Sequence, residues 1–492
     1  MKKFIVFAVV LALLVPSLAL ATEFTLGGFI KLDAFWDSVQ QGKNMNGTIG
    51  RNNDPNLDHG RLKFTAQGSR FNFTIKGPDL WGAKTTGYIE MDFDINEQGA
   101  TTAAGIPAVA NTASASNNYA PRLRHAMFRF NWPETELLFG QYWSMFCEWY
   151  PELAEDGPFQ TTGIPTARIP QIRFTQQFLG WGTASVLVGS ANTASNGQVY
   201  STFDTSGQST ATPQVQGKLQ YAQDLWGKAA YYGKPTPFTA QVVAGWQRSG
   251  FAQNFANATY FTFGQNTWSN FLTGANTAGI NLKHTTLNPW MVMGTAFIPV
   301  IPTHSANLTG TASLLANWWI GAGVDSFGMA GATNPIKFND NNNGIYSYNY
   351  ELEQRFGGFV QGQYYFNNEW NVTVAYGMSR VFGLSQSDTN AAAARGLAAG
   401  GINAPGYVYA FNADASKLQQ QLEGILWYRP IQAIKFGLEY AYGQTTWFQS
   451  TGQAAAFPTG AVPAVTAFNA TPVNTSNVGN AHRVEFVGFF YF

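Results

Sequence analysis

The sequence has few charged residues and no excess of basic residues. Only 11% of its 492 residues are charged, whereas a soluble domain carries about 25%. Its 28 basic residues balance 28 acidic ones, so no basic excess favours a phosphate backbone, and we expect no nucleic-acid partner. Cys147 is the single cysteine, which excludes an intrachain disulfide and a multi-cysteine metal site.

Long apolar runs are almost absent as well. The mean hydropathy is −0.13, which argues against a multispan helical membrane protein. The one long apolar run, 4–20, follows Lys2 and Lys3 and ends in the small-residue pattern 19–21. We therefore expect residues 1–21 to be a cleaved secretory signal peptide, with an N-terminal membrane anchor as the alternative.

Apolar residues recur instead with a period of two, which is the period of a β-strand. Over 24–36 the apolar residues share one face, while Lys31 and Asp33 fall on the other. Over 483–492 charged and apolar residues alternate in the same way up to the terminal Phe492. These segments are predicted to be strands that are apolar on one side only.

The connections between the strands decide what the apolar side faces, a sandwich core or a lipid bilayer. Short connections alternate with long polar ones along the chain, which is typical of transmembrane barrels. Aromatic residues gather beside the short connections, where a girdle would meet the lipid interface. They are Trp81, Trp132, Trp181, Trp226, Trp290, Trp370, Trp427 and Tyr428.

The predicted fold class is therefore all-β, a single transmembrane antiparallel β-barrel over 22–492 with about 16 strands. The strands are predicted at 24–36, 60–77, 82–94, 121–131, 134–143, 168–179, 181–190, 213–223, 237–249, 277–288, 290–301, 351–366, 369–380, 416–429, 431–446 and 480–492. The weak stretch is 250–350, where 311–327 is either a further strand or part of a folded loop. Eighteen strands is the alternative.

A barrel of about 16 strands is too wide for its inward side chains to fill, so it leaves a watery channel. Function is then expected on the inward face. The alternation places a basic set there on early strands, consisting of Arg61, Lys63, His125, Arg129, Arg173 and Lys218. Arg122 and Arg124 break the alternation, which predicts a bulge or a position above the membrane. For any one of these residues, an ordinary solvated charge is the competing interpretation.

The third long connection, 144–167, is the candidate constriction loop because its aromatic and proline residues favour a compact fold inside the barrel. Its alternative is an external loop over the mouth. Its charged residues outside the flanking strands are all acidic, namely Glu148, Glu152, Glu155 and Asp156. Folded inward, they would face the basic wall across the narrowest point. Other predicted lining residues are Tyr88, Glu90, Asp92, Glu353 and Arg355.

Several segments carry a resemblance to a known family. They are FTLGGFIKLDAFWD, GRLKFTAQGSRFNFTIKG, PRLRHAMFRF, LLFGQYWSMF, RIPQIRFTQQF and the terminal Phe492. With them the chain resembles bacterial outer-membrane porins, nearest to the DcaP-like trimeric porins, over about its first 190 residues.

The resemblance implies a homotrimer of 16-stranded barrels in the bacterial outer membrane, surrounded by lipid and lipopolysaccharide. It implies passive diffusion of small polar solutes, an inward third loop and some preference for organic anions. The terminal Phe492 is similar to the signal that the barrel-assembly machinery reads. The four carboxylates of the third loop depart from a purely basic constriction.

No pattern predicts an enzyme. The five histidines show no metal-ligand spacing, and Cys147 has no catalytic partner nearby in sequence. We therefore expect no catalytic residue, no cofactor and no metal. A passive porin is the leading hypothesis; the alternatives are a channel dedicated to small organic acids and a structural or adhesive barrel.

Overall fold

A computed structural model describes most of the strands and part of the connections between them. The described residues are 23–39, 45, 49–52, 59–94, 121–155, 157–191, 211–252, 260–263, 266–269, 284–329, 336–340, 347–384, 416–447 and 476–492. The predicted signal peptide, 1–21, and Asp156 lie outside them. Among the described residues, none belongs to a helix with the length and apolar character needed to cross a membrane.

The described residues form strands joined by turns and loops, with two short 3₁₀ helices at Met145–Cys147 and Val324–Phe327. The strands are β1 Glu23–Asp37, β2 Arg61–Thr65, β3 Arg70–Lys76, β4 Lys84–Asp92, β5 Arg122–Asn131, β6 Thr135–Trp143, β7 Arg168–Phe178, β8 Gly182–Gly189, β9 Gln214–Gln223, β10 Ala229–Tyr231, β11 Lys234–Thr236, β12 Phe238–Trp246, β13 Ser249–Ala252, β14 Tyr260–Phe263, β15 Asn266–Ser269, β16 His284–Leu287, β17 Trp290–Ile301, β18 Ala312–Ala322, β19 Ile336–Asp340, β20 Ser347–Glu351, β21 Glu353–Tyr365, β22 Trp370–Leu384, β23 Ser416–Ile431, β24 Ile434–Trp447 and β25 Val478–Tyr491.

Seventeen of these strands form one antiparallel sheet that closes on itself. The last strand pairs with the first, from Phe29↔Tyr491 to Asp37↔Arg483. Because β2 and β3 pair with successive parts of β1, they form one interrupted crossing, and the sheet makes sixteen crossings. Closure leaves no unpaired sheet edge, which the interior of a bilayer requires. The predicted barrel of 16 strands is confirmed.

The two faces of the sheet carry opposite kinds of side chain. On β2, Leu62 and Phe64 point outward with 66% and 61% of their surface exposed, while the neighbouring Thr65 is buried. On later strands the inward Gln361 and Thr373 are fully buried. Apolar outside and polar inside is the reverse of a soluble protein, and it fits an outer surface covered by lipid.

One predicted strand is wrong. The segment 277–288 does not cross the barrel, because β12 pairs directly with β17, as at Trp246↔Trp290. Its described part, His284–Leu287, pairs with Ser249–Ala252 in a separate two-stranded sheet, and 277–283 lies outside the described residues. The crossing is supplied instead by Ala312–Ala322, which pairs with β17 and β21.

The alternation within β18 explains the exchange. Trp318 points outward and is 53% exposed, while its neighbour Trp319 is fully buried against the inside of the barrel. The sequence HTTL of β16 has no such alternation. The structure therefore has sixteen crossings rather than the eighteen of the alternative.

Connections at the two ends of the barrel differ in length. At what we call the short-turn end, the connections are 77–83, 132–134, 179–181, 224–237, 302–311, 366–369 and 432–433. At the long-loop end, the third connection is 144–167, and Asn288 and Pro289 also lie here. Trp290 follows them at this end, so it does not join the aromatic girdle of the short-turn end.

Candidate pore constriction

The segment 144–167, called the constriction loop from here on, lies inside the barrel. The backbone N–H of Met145 donates to the Gln216 side chain on β9 (2.9 Å). Farther along the loop, the N–H of Ala154 donates to the Glu439 carboxylate on β24 (2.9 Å). The indole N–H of Trp319 on β18 donates to the carbonyl of Gly163 (2.8 Å). The loop thus contacts three separate parts of the inner wall.

Local hydrogen bonds give the loop its compact shape. The Ser144 N–H donates to the carbonyl of Ala167 and closes the base of the loop (3.0 Å). The carbonyl of Phe159 accepts the N–H groups of residues 162–164. Gly163 then passes so close to the wall that a Cβ there would lie 2.5 Å from the carbonyl oxygen of Gly358. Only glycine permits this approach without a shift of backbone.

Cys147 is part of this packing. Its thiol donates to the carbonyl of Pro165 (3.0 Å), and its sulfur accepts the N–H of Ala167 (3.1 Å). It packs with Met145, Phe146 and other buried side chains. Burial raises the pKa of the Cys147 thiol to about 11, so little thiolate forms near neutral pH.

We expect native Cys147 to resist maleimide at pH 8, because the thiol is both buried and protonated. The same protein, denatured in hot SDS, should react to completion. Mass spectrometry of the two samples measures the labelled fraction. Rapid labelling of the folded protein would show that the constriction loop is not packed as described.

The acidic residues of the constriction loop separate into two groups. Glu148 faces the early basic wall, where it pairs with Lys218 (2.6 Å) and Arg173 (3.4 Å). Its side chain keeps 22% of its surface exposed. Of the described loop acids, Glu148 alone meets residues of the predicted basic set, and it meets two of them.

Glu152 and Glu155 contact the opposite side of the barrel. Glu152 pairs with Lys435 on β24 and accepts a hydrogen bond from the amide of Gln363 (2.6 Å). Glu155 pairs with Arg483 on β25 (3.0 Å). Burial raises the pKa of Glu155, while Arg483 opposes the rise. Both carboxylates are buried, so they act as anchors of the loop and not as open charges facing the early wall.

The remaining members of the predicted basic set are spread along the early strands. Arg61 is held by Asp37 (3.3 Å) and Arg129 by Glu136 (3.3 Å). Lys63 lies half-buried on β2, two residues from Arg61. His125 is buried, with its ring 4.8 Å from that of Tyr142 and 5.2 Å from that of Trp143.

A β-bulge brings two further arginines to the inner wall. The register shifts between Glu90 and Met91 opposite residues 123–125, which is the predicted break in the alternation. Arg124 is thereby buried and donates to Glu90 (2.7 Å). Arg122 donates to Asp92 (2.8 and 2.6 Å).

The predicted lining residues of β4 belong to the same cluster. Tyr88 donates to Glu90 (2.7 Å), and Glu90 also lies 3.6 Å from Arg70. Sequence reasoning missed Arg70, although its alternation with Asn72 on a strand that resumes after residues 66–69 is a usable signal. These charges neutralise one another over much of the early wall.

Two predicted lining residues do not reach open solvent. Glu353 and Arg355 are both fully buried and paired with each other, and the Arg355 guanidinium also donates to the carbonyl of Ser416 (2.8 Å). They lie on the lumen side of β21, but protein covers them. Glu353 and Arg355 therefore do not line open solvent, although their strand places them on the lumen side.

The same covering affects the inner wall of five neighbouring strands. Inward side chains of β21–β25 are buried, including Gln361, Thr373 and Gln421. On the early strands, Arg129 and Arg122 keep 37% and 30% of their side chains exposed. Solvent-exposed charge on the inner wall therefore lies on the early strands, on the same side as Glu148.

Lys435 and Arg483 were not among the predicted site residues. No local pattern marks either of them, because their partners on the constriction loop lie 283 and 328 positions away in the chain. Within the described ranges, no group of three or more His, Cys, Asp and Glu side chains is placed to hold a metal ion.

A closed sixteen-stranded barrel with a loop folded into its lumen is the architecture of solved outer-membrane channels. Among solved structures, the chain is similar to the outer membrane channel DcaP of Acinetobacter baumannii, with a TM-score of 0.56 and 18% identity over 96% of this chain and 97% of that one. At this identity the likeness establishes the fold.

Other solved structures are less similar. The anion-selective porin from Comamonas acidovorans has a TM-score of 0.47 and 10% identity, covering 96% of this chain and 99% of that one. Pseudomonas putida OprB has a TM-score of 0.46 and 11% identity, covering 95% and 94%. No protein-family model matches the sequence, and no curated protein sequence matches it.

Proposed function

We propose that this chain is a porin of the bacterial outer membrane, through which small hydrophilic solutes and ions diffuse passively. One observation carries the proposal. Polar and charged side chains line much of the inner wall, and its charged side chains keep solvent exposure mainly on the early strands, beside the constriction loop. A water-filled passage next to a folded-in loop is the arrangement that a diffusion channel needs.

The charges beside the passage favour small anions. Lys435 and Arg483 neutralise Glu152 and Glu155 on the covered side, so these acids contribute little field to the passage. At the constriction, the two cations Arg173 and Lys218 face the single carboxylate of Glu148. The local excess is basic, which raises the concentration of anions at the narrowest point.

The proposal includes the setting of the barrel. The outward apolar side chains would contact lipid and lipopolysaccharide, and neighbouring copies would assemble as a homotrimer. Phe492, whose N–H donates to the carbonyl of Gly28 (3.2 Å), directly follows the closing strand β25 and would be read by the barrel-assembly machinery. The likeness to the DcaP channel supports this setting through the fold.

Planar-bilayer recording tests the function. We expect the purified protein to insert in discrete conductance steps, and heat-denatured protein at the same concentration to give none. Current that grows in proportion to solute concentration supports passive diffusion, whereas a saturable, solute-blocked current indicates a dedicated channel. A folded protein that gives no steps contradicts the proposal and favours a structural barrel.

A further inference from the structure

One connection at the short-turn end is not a tight turn. Between β9 and β12, residues 224–237 contain the antiparallel pair β10 and β11, which we call the inner hairpin, Ala229–Thr236. Ala229 and Ala230 are buried. Ala229 belongs to the same apolar cluster as Leu153 and Phe159 of the constriction loop. The inner hairpin therefore enters the barrel from the end opposite to the long loops.

The inner hairpin contacts the constriction loop through two tyrosines. The Tyr231 hydroxyl accepts the N–H of Tyr150 (3.0 Å) and donates to the carbonyl of the same residue (3.1 Å). The Tyr232 hydroxyl donates to the carbonyl of Pro151 (2.8 Å). The rings of Trp149 and Tyr231 lie 4.8 Å apart. The backbone groups of Tyr150 and Pro151 are thus fixed from the short-turn end, and the Trp149 ring packs on the same side.

The turn of the inner hairpin is conformationally demanding. Tyr232 has φ +49° and Gly233 has φ +72°, the combination of a two-residue type I′ turn. A tyrosine in the left-handed region is strained, because its Cβ lies too close to the following carbonyl oxygen. Such a conformation persists only where its surroundings determine it, and the hydrogen bond from Tyr232 to the constriction loop is one such constraint.

The wall holds the other side of the inner hairpin. Lys228 and Thr303 exchange both of their backbone hydrogen bonds (2.9 and 2.7 Å). The Ser313 hydroxyl donates to the carbonyl of Ala230 (3.1 Å), and the rings of Tyr231 and Phe297 lie 5.8 Å apart. The inner hairpin thus lies between β17–β18 and the constriction loop and fills the space between them.

We propose that the inner hairpin is a second constriction element. It fixes the constriction loop from the short-turn end and closes the part of the lumen beside β17 and β18. Tyr231 and Tyr232 are its positioning residues. With that part closed by protein, solutes are confined to the passage along the early strands. This inference rests on the proposed porin function and adds the element that sets where its passage runs.

The test removes the hydroxyl groups and keeps the rings, in the full-length variant Tyr231→Phe/Tyr232→Phe. Three hydrogen bonds to the constriction loop are lost. We expect the fraction of time spent in conductance levels above the main level to rise by roughly ten- to hundredfold. Single-channel recording in KCl measures it.

Tyr221→Phe is the matched control. Among the described residues, the Tyr221 hydroxyl donates to Gln223 of the same strand (2.5 Å) and not to the constriction loop, so its loss should leave the conductance levels unchanged. Conductance levels that stay as in wild type in the double variant, with the barrel folded, would overturn the inference.

Hydrogen exchange supplies a readout that does not depend on conduction. The Tyr150 amide bonds to Tyr231, so a peptide spanning 146–156 should exchange about tenfold faster in Tyr231→Phe than in wild type. If wild type shows this protection but no conductance steps, the porin function is contradicted and the role of the inner hairpin in fixing the constriction loop stands. Equal exchange in the two proteins contradicts that role, whether or not the channel conducts. Should the double variant not fold, the single variants are measured in the same two ways.

Discussion

The Glu152→Ala variant will lose its folded form at a lower temperature than wild type, and its channel will conduct more current. Glu152 is buried and pairs with the buried Lys435. The Lys435 ammonium is buried and lies 3.6 Å from the centroid of the Trp427 ring, so the loss of Glu152 leaves a buried cation without its carboxylate partner. Breaking a buried ion pair from one side costs about 3–5 kcal/mol.

The loss acts on the constriction loop in particular. Besides its carboxylate, Glu152 contributes its backbone N–H to Gln361 (2.7 Å) and its carbonyl to the indole of Trp427 (3.1 Å). With an unpaired ammonium beside them, these bonds hold the loop less firmly, and the passage widens for part of the time. The folded fraction is followed by band shift on SDS gels against temperature, and the conductance in planar bilayers.

The double variant Glu152→Gln/Lys435→Met separates charge from shape. It keeps the approximate volume of both side chains and leaves no unpaired charge, so it should recover most of the stability that Glu152→Ala loses. Lys435→Met alone leaves a buried carboxylate and should be as unstable as Glu152→Ala. If the double variant is no more stable than either single one, the anchor is steric and the ion pair is incidental.

The barrel could be predicted because its physical cause is local. In each crossing, successive side chains alternate between lipid and lumen. This period of two can be recognised within a short continuous segment such as 483–492. The prediction failed at 277–288, where the apolar residues do not alternate cleanly, while the true strand Ala312–Ala322 carries two adjacent tryptophans that face opposite sides.

The candidate site was predictable only in part, because its contacts join distant parts of the chain. The aromatic and proline content of 144–167 indicates a compact loop, and the bulge near Arg124 follows from the broken alternation. Nothing in the sequence says that Glu148 pairs with the early wall while Glu152 pairs with β24. The register of the closed sheet decides which cation each carboxylate meets.

The inner hairpin left a local signal that sequence reasoning did not use. A Tyr-Gly pair at 232–233, between the short segments 229–231 and 234–236, fits a two-residue hairpin turn. Its entry into the lumen is a different matter, since that depends on the space the constriction loop leaves near β17 and β18. The amino-acid composition and the period of the apolar residues do not predict how much space remains there.

The second large effect concerns ion selectivity. The Arg173→Glu/Lys218→Glu variant should change the sign of the reversal potential in a KCl gradient, from anion preference to cation preference. Both residues contact Glu148, whose side chain keeps 22% of its surface exposed, and the exchange lowers the local charge by four units. At about 10 Å in water each unit is worth about 0.4 kcal/mol. The permeability ratio should then change by about tenfold at low salt.

The neutral variant Arg173→Gln/Lys218→Gln should fall between wild type and the charge reversal, and Glu148→Gln should move the potential the opposite way. Arg380→Glu/Lys417→Glu is the matched control, because it exchanges one arginine and one lysine that are exposed on β22 and β23. It should leave the sign unchanged. A control as effective as the passage variant would place the selective field outside the passage.

The dependence of selectivity on salt concentration distinguishes an electrostatic effect of Arg173 and Lys218 from a change in the width of the pore. The screening length falls from about 10 Å at 0.1 M to about 3 Å at 1 M salt. If Arg173 and Lys218 select ions through their charge, the difference between wild type and the reversed variant must shrink as the salt concentration rises. A difference that persists at 1 M would mean that the substitutions moved the constriction loop at Glu148, since a wider opening is not screened by ions.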